Sequence, residues 1–123
     1  MTTPKMPDTV LVGSLVYAVT CDEDSWARAV ADSAENKGGY GLTNNRRGMI
    51  ALNPDQPESI RRLTLWHEVL HALCEGAMGS PDWLNLGEED SDREERVIRM
   101  FEAPTLNVIR DNPTLLAYLT AGD

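Results

Sequence analysis

His67-Glu68-Val69-Leu70-His71 spells His-Glu-x-x-His, and these are the two histidines of the chain. Histidines four apart on a helix lie one turn above each other, so both can reach a single metal ion. Glu68 is rotated by about 100° from His67. Its carboxylate then stands beside the ion, where it can take a proton from metal-activated water and pass it to a leaving amine. The chemistry on offer is metal-assisted hydrolysis. Zinc in such a site takes three protein ligands and keeps the fourth position for water. Cys74 and Glu75 fall on the same helical line, but Cys74 is about 10 Å of rise from His67, too far to join both histidines. The third ligand must therefore come from a carboxylate elsewhere, and Glu88, Glu89, Asp90, Asp92, Glu94 and Glu95 crowd together downstream. Glu94 shares a helical face with Val97, Ile98 and Phe101, and Glu95 with Ile98 and Phe101, so periodicity leaves both open. The other acids read as solvated charge at a helix start, where the macrodipole favours them.

The elements that must position these groups can be read in outline. Residues 10–20, VLVGSLVYAVT, are β-branched and aromatic and are broken by Gly13-Ser14, which predicts a hairpin with Tyr17 and Val19 on one face. A short helix over 22–36 follows, capped by Asp22 or Asp24. A second strand pair, 40–43 and 49–53, flanks the turn-forming run Asn44-Asn-Arg-Arg-Gly48, and 49–53 is read as the sheet edge. Asp55 and Glu58 have capping-box spacing for a helix over 58–75 with an apolar stripe of Leu63, Trp66, Leu70, Leu73 and Ala77. After a loop over 80–87 containing Pro81 and Trp83, a helix runs through Val97, Ile98 and Phe101. Pro104 is expected to kink or split it, and Leu115 to Leu119 add a last turn or two. Strands gather in the first half and helices in the second, an α+β arrangement.

Composition narrows the function classes. Eleven Lys and Arg against twenty Asp and Glu give a net charge of −9 over 123 residues, which argues against non-specific binding of nucleic acid. The pairs Arg46-Arg47 and Arg61-Arg62 read as solvated surface. The sequence holds no uncharged stretch near the ~20 residues of a bilayer span. Residues 1–8 carry no apolar signal core and are expected to form a flexible tail to a single domain. Cys21 and Cys74 are too few for a disulfide scaffold, so a reducing cytoplasm is the expected home. Cys74 reads as a small buried apolar residue and Trp66 as core packing. Arg110-Asp111-Asn112-Pro113 reads as a helix stop with local side-chain-to-backbone bonds.

With these residues in place, the sequence resembles the zincin metallopeptidases of the gluzincin branch, in which HExxH is completed by a Glu on a following helix. It is similar in particular to small single-domain zincin-like proteins of bacteriophage and prophage genomes. The matching segments are Tyr40-Gly41, Ile50-Ala51-Leu52, 64–72, Glu94-Glu95 and 110–113, from about Val10 onward. The resemblance implies Zn²⁺ held by His67, His71 and a Glu, with Glu68 as general base and a protein or peptide as substrate. An aromatic six positions after the ligand Glu is frequent in the branch, and Phe101 stands six after Glu95, which favours Glu95 over Glu94. The Asp found four after the ligand Glu in thermolysin-like members is here Arg99. An oxyanion stabiliser would have to be Tyr40 or Tyr118, since no histidine is left. The rival reading is a metal-stabilised protein-binding module, a phage accessory without peptidase activity. The presence of Glu68 weighs against it, because a purely structural site has no use for that carboxylate. A third reading, an acidic assembly or nucleic-acid-mimicking accessory, rests on charge alone.

Overall fold

The computed structural model describes residues 4–33, 39–77 and 90–121. Strands β1 (Thr9–Val12) and β2 (Leu15–Thr20) form the expected hairpin, and α1 (Glu23–Asp32) follows. Strands β3 (Gly41–Asn44) and β4 (Met49–Leu52) lead into α2 (Glu58–Ala72), whose last turn widens into a π-helical turn, Leu73–Ala77. Helices α3 (Asp90–Asp111) and α4 (Pro113–Leu119) complete an α+β domain. The expected loop over 80–87 and its Trp83 lie outside the described residues, as do Glu88 and Glu89 and the side chains of Asp90 and Asp92.

The four strands run in the order β1-β2-β4-β3. β2 and β4 are parallel, while the other two pairs are antiparallel. This corrects the reading of 49–53 as the edge: β4 is internal, and β3 is the edge beside the histidine helix. The reason lies in the residues. Ile50, Ala51 and Leu52 are all buried, as a strand covered on both faces requires, whereas Gly41-Leu-Thr-Asn44 has the mixed character of an edge. Gly48 closes the β3–β4 turn at φ +62°, and a side chain there would meet the Val16 carbonyl at 2.9 Å.

Val10, Val12, Tyr17, Ile50 and Leu52 of the sheet pack against Leu65, Val69, Ala72 and Leu73 of the α2 segment, with Val108, Leu115 and Tyr118 beneath. The stripe expected on α2 is therefore rotated: Leu63 is 66% exposed, and the buried face carries Arg62, Thr64, Leu65, Glu68 and Val69. Trp66 packs partly buried on the core, as expected. The helix has Pro57 at its N-cap with no side-chain cap bond, so the Asp55–Glu58 capping box does not form. Gln56 does the anchoring instead. Its Nε2 donates to the carbonyls of Tyr40 (2.9 Å) and Asn53 (2.7 Å), and its Oε1 accepts from Thr64 Oγ1 (3.0 Å). That bracket seats the start of β3 against the first turns of α2.

Asn112 does more than stop a helix. Its Oδ1 accepts from Leu11 N at 2.8 Å, and its Nδ2 donates to Leu11 O at 2.7 Å and Val108 O at 2.8 Å. The amide thus satisfies the outer edge of β1 as a neighbouring strand would. Three further readings change. Pro104 does not split α3, which runs through it as one helix. Arg62 is 8% exposed, with its guanidinium 5.7 Å from the Tyr118 ring centroid, while Arg61 donates to Glu58 and to the Pro54 and Gln56 carbonyls. That pair is structural rather than solvated. Of the supposed tail, Met6 packs on the core and Pro7 is buried.

Candidate metal centre

α2 presents its functional residues on two adjacent lines. Thr64 and Glu68, four apart, face β3, and His67 and His71, also four apart, face outward. The two imidazoles stand edge to face with ring centroids 4.8 Å apart and an interplanar angle of 74°. His67 Nε2 lies 4.0 Å from Glu68 Oε2, and the two side chains differ sharply in exposure, 65% against 6%. The three-residue signature is thus an exposed pair of nitrogen donors with a buried carboxylate at its flank.

The burial of Glu68 is the work of β3. Gly41 and Thr43, two apart in the strand, face α2 together. A Cβ at Gly41 would stand 2.8 Å from Thr64 Cγ2, 2.9 Å from Glu68 Cγ and 3.1 Å from Glu68 Oε2. Only glycine lets the strand lie this close to the carboxylate. Thr43 Oγ1 is 2.7 Å from Glu68 Oε1 and 3.1 Å from the Glu68 carbonyl. Sequence reasoning singled out neither residue's contact, since nothing local in the chain announces a bond between positions 25 apart.

At the C-terminal end of α2, Asn45 bridges sheet and helix. It accepts from the Tyr17 hydroxyl at 2.6 Å and donates to Glu75 Oε2 at 2.5 Å. Burial, and then the Glu75 carboxylate, push the Tyr17 hydroxyl above its ordinary pKa. Cys74, half-buried and free, is likewise raised by burial and by Glu75. It is less enclosed than expected.

The remaining candidates are placed as follows. Glu94 is exposed, and Glu95 is 58% exposed, with its Oε1 accepting from Arg99 Nε at 3.1 Å. Sharing a face with Ile98 does not turn Glu95 inward, because Ile98 is itself 48% exposed. Tyr40 is 65% exposed on the rim, one residue before Gly41. Tyr118 is fully buried beneath Arg62, roughly 7.5 Å of helix rise before His67 on α2. Burial and then Glu58 push its hydroxyl above the ordinary tyrosine range, and its full burial within the core cluster makes it a packing residue. Among the described residues, no group of three or more His, Cys, Asp or Glu is placed to hold a metal ion. His67 and His71 would offer a metal two imidazole nitrogens, with Glu68 beside them.

A groove of about 530 Å³ between α1 and the β3–β4 pair reaches Thr43 from the far side; Arg28, Asn45 and Glu75 are among its lining residues. Arg47, on the same rim, pairs with Asp32 at 3.1 Å. Among the described residues no helix is long and apolar enough to cross a membrane. Comparison with family models, with curated proteins and with solved structures returns no match to this chain.

Proposed function

We propose that the protein is a zinc-dependent metallopeptidase built on a small zincin-like domain. The observation that carries this reading is the pairing of two exposed imidazoles, 4.8 Å apart, with a carboxylate buried at their flank 4.0 Å from His67. His67 and His71 would hold the ion. Glu95 of α3, or Glu94, is the third ligand that the resemblance implies, and Glu95 would have to leave Arg99 to serve. Bound there, Zn²⁺ would supply Lewis acidity to a peptide carbonyl and lower the pKa of a water. Glu68 would take a proton at its carboxylate and return it to the departing amine, so its position within the fold would set the proton path. Tyr40, exposed beside Gly41, is the tyrosine whose place suits substrate contact. β3, the edge strand among the described residues, borders the same carboxylate and would offer its backbone groups to an extended peptide. The substrate is a protein or peptide, met in the cytoplasm, and in the host cytoplasm for a phage-borne chain.

A second reading, a zinc-stabilised binding module, draws on the exposure of both histidines and on the absence of a third ligand beside them among the described residues. Incubating the zinc-loaded protein with unfolded casein and with a library of quenched peptides separates the two. The peptidase reading expects cleavage that Glu68→Gln abolishes while zinc content and melting temperature hold. Zinc retention with no cleavage by wild type would favour the binding module.

A further inference from the structure

The pocket that buries Glu68 has two halves with different tasks. Gly41 contributes the absence of a side chain, which brings the strand within contact of the Glu68 stem. Thr43 contributes a hydroxyl 2.7 Å from Oε1. A hydroxyl has one proton, and the closer, charged carboxylate oxygen is the stronger acceptor than the backbone carbonyl at 3.1 Å. With Oε1 engaged, the carboxylate plane is fixed, and Oε2 is the oxygen that stands 4.0 Å from His67 Nε2. The strand itself is held by Gln56, through the Tyr40 carbonyl, and by its ladder to β4. The orientation of Glu68 is therefore set from a rigid element outside its own helix.

We infer that Thr43 is a positioning residue: its hydroxyl orients the Glu68 carboxylate so that Oε2 lies on the side of His67. This rests on the peptidase reading, in which Glu68 moves the proton. A carboxylate without its orienting donor retains its chemistry but samples more rotamers, so the loss falls on turnover and not on substrate binding.

The test compares wild type, Thr43→Val, which keeps the shape and deletes the hydroxyl, and Thr43→Ser, which keeps the hydroxyl, with Glu68→Ala and the Thr43→Val/Glu68→Ala double variant added for the melts. In the zinc-loaded enzyme, Thr43→Val should lower kcat by about 10- to 100-fold, the range for residues that orient others, with KM within about twofold. Thr43→Ser should return kcat to within about threefold of wild type. Zinc content should be the same in wild type, Thr43→Val and Thr43→Ser. Melts of the metal-free protein supply a readout independent of catalysis: Thr43→Val and Glu68→Ala should each lower Tm by about 5 °C, and together by clearly less than the sum. A kcat for Thr43→Val within twofold of wild type, a loss that Ser does not rescue, or additive melts would overturn the assignment. Wild-type protein that binds zinc and cleaves nothing overturns the peptidase reading and the catalytic part of this one. Non-additive melts would then leave Thr43–Glu68 as a purely structural bond.

Discussion

Replacing Gly41 by Ala puts a methyl carbon 2.8 Å from Thr64 Cγ2 and 2.9 Å from Glu68 Cγ, separations that packed carbon atoms do not adopt. The backbone at Gly41 is not in the left-handed region, so Ala is conformationally acceptable there. In open space, that exchange would stabilise the fold by about 0.4–1 kcal/mol through the unfolded chain. Overpacking a well-filled site costs about 1–3 kcal/mol. The difference spans about 0–2.6 kcal/mol, centred on a net loss of about 1.3 kcal/mol. For a chain of this size that lowers Tm by roughly 4–10 °C. The variant relaxes either by lifting β3 from α2, which stretches the Thr43–Glu68 bond, or by turning Glu68 out of its pocket. Thr64→Ser deletes one of the two clashing carbons and keeps the hydroxyl that Gln56 uses. In the Gly41→Ala background, it should recover about half of the loss, by the same overpacking argument. Urea denaturation of the metal-free single and double variants measures both numbers. A Gly41→Ala protein as stable as wild type, or more stable, would refute the close approach of β3 to Glu68.

Other outcomes follow from the same contacts. Asn112→Ala leaves the Leu11 N–H and C=O without their side-chain partner and should cost about 2–4 kcal/mol in urea denaturation, since each unsatisfied group costs about 1–3 kcal/mol. Asn112→Asp should not rescue it, because a carboxylate cannot donate to the Leu11 carbonyl; a change below about 0.5 kcal/mol would contradict the edge-capping role. Tyr118 has a folded-state pKa raised by burial and by Glu58. Its contribution is therefore full below the unfolded value of about 10 and is lost as pH rises beyond it. Stability should fall more steeply above pH 10 in wild type than in Tyr118→Phe. Tyr17 is raised too, so the slope in the variant is reduced and not abolished. Equal slopes would contradict the burial of the Tyr118 hydroxyl.

The sequence carried its helix-borne signals well, because they are local. The HExxH residues, the α2 span, the Asp22 cap that accepts from Ser25 N and the Gly13 hairpin are all read within a few positions. What escaped is held together by contacts between distant positions. β4 is internal, and Met49-Ile-Ala-Leu52 carries the local signal for that, a continuous apolar run as in a strand covered on both faces. Gln56 reaching Tyr40, Thr43 reaching Glu68 and Asn112 reaching Leu11 left no comparable trace. Each is a polar residue whose partner is 16 to 101 positions away, and only the assembled sheet and helices make them neighbours. The face of α2 was missed for a related reason. A buried Thr, Glu and Arg displace the apolar stripe from the side where hydrophobicity alone puts it.

Whether His67 and His71 hold a metal is the claim on which the functional account stands. Elemental analysis of protein purified without a nickel column, beside His71→Ala and Glu68→Gln, tests it directly. The account predicts about one zinc per chain in wild type and Glu68→Gln, and none in His71→Ala. Wild-type protein without zinc, whose melting temperature is unmoved by added zinc, would contradict it and reduce the motif to a coincidence of helix composition.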